Sequence, residues 1–254
     1  MAITVPEIIC CPLGAIDGEL LTDYRSLLSG DELQRLTTYK KPEAAKEFLV
    51  ARALLRETFS TRLRCAPVDL VFERDVDGKP QLANQAQANW HFNLSHGRNW
   101  VALIISAVGP VGIDVEGHAR RNNLSGIAQR FFSAAENNAL ANCTADQWFD
   151  YFFAIWTLKE AHAKARGCGL AKILSCSSIT LDWGDRRIDF ELQEIARSAL
   201  PLTGWLYRLD AAVSLAAIAT APTMLMQPAV AQVIPLRSTQ PMQVELLASG
   251  NWQS

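Results

Sequence analysis

TADQWFDYFFAIWTLKEAHAKARGCG (144–169) decides how the rest of the chain is read. Thr144-x-x-Gln147 has the form of a capping box, Ala145 to Arg166 runs without glycine or proline, and Gly167 and Gly169 end it. The stretch therefore reads as one long helix. Four strand-like runs follow: SSITLDW (177–183), RIDFEL (187–192), WLYRL (205–209) and AVSLAAIA (212–219). Toward the N-terminus the same order recurs. A helix from about Glu43 to Thr58 or Phe59, with apolar spacing at Phe48, Leu49, Ala51, Leu54 and Leu55, precedes DLVFE (69–73), HFNLS (91–95) and NWVALIIS (99–106). Each half reads as a helix laid on a small antiparallel sheet, an α+β arrangement.

Gly109-Pro110 is the natural junction, because glycine permits the turn and proline ends a strand. It divides the chain into an N-terminal half over 1–109 and a C-terminal half over 110–221. The tail over 222–254 reads as an appendage, since its proline, glutamine and serine break any periodicity. The uncharged stretch from Ala211 to Leu236 is long enough to span a membrane, but Pro222, Pro228 and Pro235 interrupt it; it reads as a buried strand entering the tail. With 49% apolar and 20% charged residues the 254-residue chain can bury a large core, which excludes a disordered chain. A formal charge of -2 gives no basic field for nucleic acid, so any phosphate must be held by a local cluster. Six scattered cysteines without metal-ligand pairs, and a start lacking the basic region of a signal peptide, suit a reducing cytoplasm. Adjacent Cys10 and Cys11 read as small apolar core residues.

Four segments carry chemistry. In VGIDVEG (111–117), Asp114 and Glu116 are two apart on a strand, so both carboxylates share a face while Ile113 and Val115 point to the core. Two hard oxygen ligands suit Mg²⁺, although a solvated strand end has the same pattern. On the long helix Trp156, Glu160 and Lys164 stack at i, i+4 spacing, as an ordinary Glu-to-Lys helix pair also would. FNLSHG (92–97) presents Asn93, Ser95 and His96 at a strand end, and RDVDGKP (74–80) presents Arg74 and Lys79 around a turn. Either could hold phosphate, and either could be a plain strand end or hairpin turn.

Taken in order, GKP (78–80), FNLSH (92–96), VGIDVE (111–116), RFFSAAE (130–136) and WTLKEAHAKARGCGL (156–170) resemble the surfactin-synthetase-activating type of 4′-phosphopantetheinyl transferase over roughly Arg35 to Leu170. The resemblance implies two pseudo-twofold-related α/β halves with coenzyme A in the cleft between them. It implies transfer of the 4′-phosphopantetheine group to a serine of an apo acyl- or peptidyl-carrier protein, with adenosine 3′,5′-bisphosphate released. Asp114, Glu116 and Glu160 match the family's metal-binding acids, for Mg²⁺. Glu160 and Lys164 match its catalytic pair, Lys164 also touching the pyrophosphate. Arg74, Lys79, Ser95 and His96 match positions that contact the nucleotide and its 3′-phosphate, and Arg35 falls where the family carries another basic contact. Glu32 stands where relatives often have a lysine, so Lys40, Lys41 or Lys46 would have to rebuild part of that clamp. The proton of the carrier serine would pass to Glu160 or to a water on the metal. Glu136, a further candidate base, sits in a Ser133-x-x-Glu136 capping box, the role its spacing favours.

Arg120, Arg121 and Arg130, with Leu124, Ile127 and Phe131 at helical spacing, make either a docking face for an acidic carrier helix or a core-facing stripe. A site between two halves can work in a monomer. The competing readings are a metal-dependent coenzyme A pyrophosphohydrolase and a non-catalytic coenzyme A- or carrier-binding module.

Overall fold

The computed structural model describes residues 5–74, 78–83, 90–118, 123–192, 201–220 and 227–252. The first half opens with β1 (Glu7–Pro12), followed by two short helices, α1 (Gly18–Arg25) and α2 (Gly30–Leu36). The 22-residue α3 (Pro42–Leu63) leads into the antiparallel pair β2 (Phe72–Arg74) and β3 (Pro80–Leu82). A second pair, β4 (His91–Gly97) and β5 (Trp100–Ser106), brings β5 back antiparallel to β1. The second half repeats this order. After β6 (Val111–Gly117) come α4 (Leu124–Phe131), α5 (Ala134–Ala141), the 22-residue α6 (Ala145–Arg166) and α7 (Leu170–Cys176). The pair β7 (Ser177–Asp182) and β8 (Arg187–Leu192) precedes β9 (Leu202–Asp210) and β10 (Val213–Ala219), and β10 returns antiparallel to β6. The chain thus has the α+β fold of two similar α/β halves.

Local chemistry explains the boundaries. The amide of Thr144 donates to Gln147 Oε1 at 3.2 Å, and α6 ends on Gly167 at φ +65, a left-handed conformation open to glycine at little cost. Helix α3 runs four residues past the expected Phe59 and closes there, with Arg64 left-handed at φ 54 and the amide of Cys65 on the Ser60 carbonyl at 3.2 Å.

The region after 221 is more than an appendage. Strand β11 (Val230–Ile234) pairs in parallel with β1 and antiparallel with β12 (Ser238–Pro241), while β13 (Glu245–Trp252) inserts between β9 and β8. One sheet runs β12-β11-β1-β5-β4 and the other β6-β10-β9-β13-β8-β7. The tail therefore contributes strands to both.

The layers follow from side-chain alternation. On β1, Ile9 and Cys11 face α3, whereas Ile8 and Cys10 join Ala102, Ile104, Ile113, Val115, Trp205 and Leu215 in a core shared by the two sheets. A strand buried on both faces reads as an unbroken apolar run, as EIICC does. Burial pushes both thiols up to about 12, so Cys10 and Cys11 are inert core groups. Helix α6 covers the outer face of the second sheet through Ile155, Leu158 and Ala161. Among the described residues, no helix is long and apolar enough to cross a membrane.

Candidate active site

The site lies where the edge strands of the two sheets meet. Strand β6 directs Ile113 and Val115 into the shared core, which turns Asp114 and Glu116 to the α6 side, as the alternation of VGIDVEG requires. Its free backbone edge is satisfied by side chains of the first half. The Ile113 amide donates to Asn93 Oδ1 at 3.0 Å and the Val115 amide to Ser95 Oγ at 3.3 Å. Two glycines permit the close approach. A Cβ on Gly112 would lie 2.1 Å from the Ala161 carbonyl oxygen of α6, and one on Gly97 would lie 2.6 Å from that of Val115.

This packing sets Lys164 beside Asp114. Lys164 Nζ lies 2.6 Å from Asp114 Oδ1 and donates to Ser95 Oγ at 3.0 Å, while the Ser95 hydroxyl donates to Asp114 Oδ1 at 2.9 Å. Asp114 is 5% exposed, and its Oδ2 is buried with no hydrogen-bond partner. Burial first, then the Asp114 carboxylate, raise the Glu160 carboxyl above its ordinary range; Lys164 acts in the opposite direction and Glu116 adds to the rise. Ser95, His96, Asp114, Glu116, Glu160 and Lys164 all line one cavity of about 570 Å³. Among the described residues no three His, Cys, Asp or Glu side chains close on a single point, and Lys164 takes up one Asp114 oxygen.

Leu94 and His96 also line a second, larger cavity of about 830 Å³. It contains Arg35 and Arg74, both expected from the sequence, together with Tyr39, Phe48, Arg52 and Phe72, which were not. Arg52 was legible only in retrospect: Phe48, Arg52 and Arg56 lie at i, i+4 spacing on one stripe of α3. The Arg74 guanidinium donates to the Gly78 carbonyl at 2.7 Å. Lys79 lies elsewhere. Its ammonium donates to the carbonyls of Val111 at 3.0 Å and Lys164 at 2.7 Å, tying the β2–β3 pair to β6 and to the last turn of α6, and it borders a separate pocket beside Trp90 and Arg166. Lys40, Lys41 and Lys46 do not line the larger cavity; Lys46 donates to the Ile16 carbonyl at 2.9 Å.

Glu136 lies away from both cavities. Its Oε2 accepts from the Ser133 amide at 2.7 Å, and its Oε1 accepts from the Ile179 amide at 2.8 Å and lies 2.9 Å from Lys159 Nζ, with both side chains fully buried. The capping-box role holds, extended by a buried ion pair. On α4, Leu124 and Ala128 are buried while Ile127 and Phe131 are half-buried, so the stripe serves the core at least in part; Arg120 and Arg121 fall outside the described residues.

Two family profiles match the chain. One, described as the 4′-phosphopantetheinyl transferase superfamily, covers residues 110–209, and one described as 4′-phosphopantetheinyl transferase, N-terminal, covers 18–107. The chain is 30% identical over 199 residues to the 4′-phosphopantetheinyl transferase Sfp of Bacillus subtilis, covering 78% of this chain and 85% of that one. The chain belongs to the 4′-phosphopantetheinyl transferase superfamily. It is also 34% identical over 154 residues to the 4′-phosphopantetheinyl transferase HetI of Nostoc, covering 60% of this chain and 65% of HetI. A putative 4′-phosphopantetheinyl transferase of Synechocystis is 31% identical over 166 residues, covering 65% of this chain and 66% of its own. The matches thus span just under two thirds of the length of these last two relatives. The boundary between the two profiles falls at the Gly109-Pro110 junction, and the superfamily profile contains Asp114, Glu116, Glu160 and Lys164.

Proposed function

We propose that this chain transfers the 4′-phosphopantetheine group of coenzyme A to a serine of an apo acyl- or peptidyl-carrier protein and releases adenosine 3′,5′-bisphosphate. The observation that carries the reading is a pair of neighbouring cavities that share Leu94 and His96 in their linings. A carboxylate-rich cavity with Asp114 paired to Lys164 lies on one side of His96, and an aromatic and arginine-lined cavity suited to an adenine nucleotide lies on the other.

The donor set fits a hard divalent cation: three carboxylates border one cavity, the buried Asp114 Oδ2 is unpartnered, and burial first, then its acidic neighbours, raise the Glu160 carboxyl. Asp114, Glu116 and Glu160 would hold Mg²⁺, which supplies charge neutralisation at the pyrophosphate when bound. The chain's own residues do the rest. Lys164 would leave Asp114 for the pyrophosphate and balance charge on the leaving oxygen, and His96, at the junction of the cavities, would orient the nucleotide end. The carrier serine oxygen forms a bond to the β-phosphorus, the bond from that phosphorus to the bridging oxygen breaks, and the electron pair leaves with the bisphosphate. The proton of the serine hydroxyl would pass to Glu160, which borders the same cavity as Lys164, or to a water on the metal. Ser95 would keep Asp114 in place through its hydroxyl.

The test is to incubate the protein with coenzyme A, Mg²⁺ and a panel of apo-carriers, and to weigh the carriers. A gain of one phosphopantetheine group on a carrier serine is expected. Release of bisphosphate from coenzyme A without any carrier would instead indicate a hydrolase.

A further inference from the structure

The larger cavity is unusual in its charge. Four arginines in its lining are matched by four carboxylates, so it presents an anionic ligand with almost no net positive field. Glu32 is central to this balance. Arg52 directs both Nε and Nη2 at Glu32 Oε1, and Arg56 donates its Nε to Glu32 Oε2 at 2.6 Å. Arg56 is 2% exposed and gives its Nη1 to the carbonyls of Leu70, at 3.2 Å, and Pro67, so its Nε and Nη1 are both engaged within the fold. Arg52 lies over Phe72 with its guanidinium carbon 4.8 Å from the ring centroid, leaving one edge of the fork spent on Glu32. Glu32 is held in turn by its capping box, the Ser29 amide donating to Oε2 at 3.2 Å. At the cavity junction His96 Nδ1 lies 3.2 Å from Glu47 Oε2, so this group too has an acidic partner.

An arginine recognises phosphate through two parallel N–H donors and an uncompensated charge. Arg52 has committed one edge of its fork, Nε and Nη2, and its charge to Glu32. We propose that Glu32 is a specificity-determining residue: by pairing with Arg52 it removes the strongest reward for a 3′-phosphate, so that the chain accepts a pantetheine adenine nucleotide lacking that phosphate almost as well as coenzyme A. This rests on the transferase reading, which places the nucleotide end in this cavity.

The experiment is calorimetric titration of the full chain with coenzyme A and with dephospho-coenzyme A. The parental protein, Glu32→Gln, and Glu32→Gln combined with Arg52→Gln are compared, and thermal unfolding verifies that each variant is folded. The parental preference for coenzyme A should be below about tenfold, roughly one hydrogen bond to a charged group. Glu32→Gln should raise it at least fivefold by tightening coenzyme A, and the double variant should return it to the parental value. A preference that Glu32→Gln leaves unchanged or lowers, or one that persists at its raised value in the double variant, overturns the inference. Carrier modification by the parental protein is read in parallel. Binding of neither nucleotide, with no carrier modified, refutes the transferase reading itself; binding of both at a ratio that Glu32 does not control refutes this inference alone.

Discussion

Lys164 Nζ and Asp114 Oδ1 stand 2.6 Å apart, joined across two elements, α6 and β6, that meet closely because Gly112 has no side chain. The carboxylate is almost entirely buried and the ammonium is partly exposed, so the pair depends on its partner charge more than a surface pair would. Lys164→Met should cost about 1–3 kcal/mol of stability, much of it from leaving Asp114 uncompensated. Combining it with Asp114→Asn should recover most of that loss. Urea unfolding of the two single variants and the double gives the coupling; additive losses would mean that the two side chains do not interact in solution.

Gly112→Ala tests the geometry behind the pair. The new Cβ would press on the Ala161 carbonyl and on the Ala165 amide, 2.4 Å away, and backbone cannot yield as a side chain can. Overpacking of this kind costs about 1–3 kcal/mol, and here it also parts β6 from α6. The urea midpoint should fall and carrier modification should fall with it. A variant as stable as the parent would show that the two elements are not packed this closely.

The buried pair Glu136–Lys159 predicts the opposite balance between stability and chemistry. Removing one member, as in Lys159→Met, leaves a fully buried carboxylate without its counter-charge and should cost roughly 3–5 kcal/mol. The fraction that remains folded should modify a carrier at near the parental specific rate. A folded, stable variant with lost activity would return Glu136 to the list of candidate bases.

What was readable in advance follows from period. Alternation along VGIDVEG placed Asp114 opposite Ile113 and Val115, and i, i+4 spacing put Glu160 and Lys164 on one stripe of α6; both facts depend only on the local backbone. The strands of the tail had no such signal. β11 and β12 are short, diluted by glutamine, serine and threonine, and β11 finds its partner β1 more than two hundred residues away, so its identity is set by tertiary pairing. The same applies to charge. Lys79 looks like a phosphate ligand in DGKP, yet its ammonium serves two backbone carbonyls, and Glu32 shows its role only once α2 is folded against Arg52 and Arg56 on α3.

Glu32 also carries a pH dependence. Burial works to raise its carboxyl, but Arg56 and Arg52 outweigh this and hold it below the ordinary carboxylate range. A depressed folded value means that the stabilisation is fully present above the unfolded value of about 4.3 and is lost as pH falls through the folded one. Glu32→Gln should therefore lower stability at pH 7, by about 1–3 kcal/mol, with the gap to the parent narrowing below roughly pH 4. Unfolding curves across that range check the sign; a gap that widens on acidification would contradict the assignment of the ion pairs.

The central claim is that the Asp114 cavity performs phosphopantetheine transfer, and Asp114→Asn tests it most directly. The amide keeps an oxygen for Ser95 and Lys164 and loses only the charge. Intact mass of an apo-carrier, followed in time with coenzyme A across a Mg²⁺ titration, should show the parental protein adding one phosphopantetheine group and the variant slower by roughly 10³-fold or more, the size of effect seen when a charge stabiliser of phosphoryl transfer is removed. Thermal unfolding of the same two samples should differ by only a few degrees. A folded Asp114→Asn protein that modifies the carrier at near the parental rate would contradict the account.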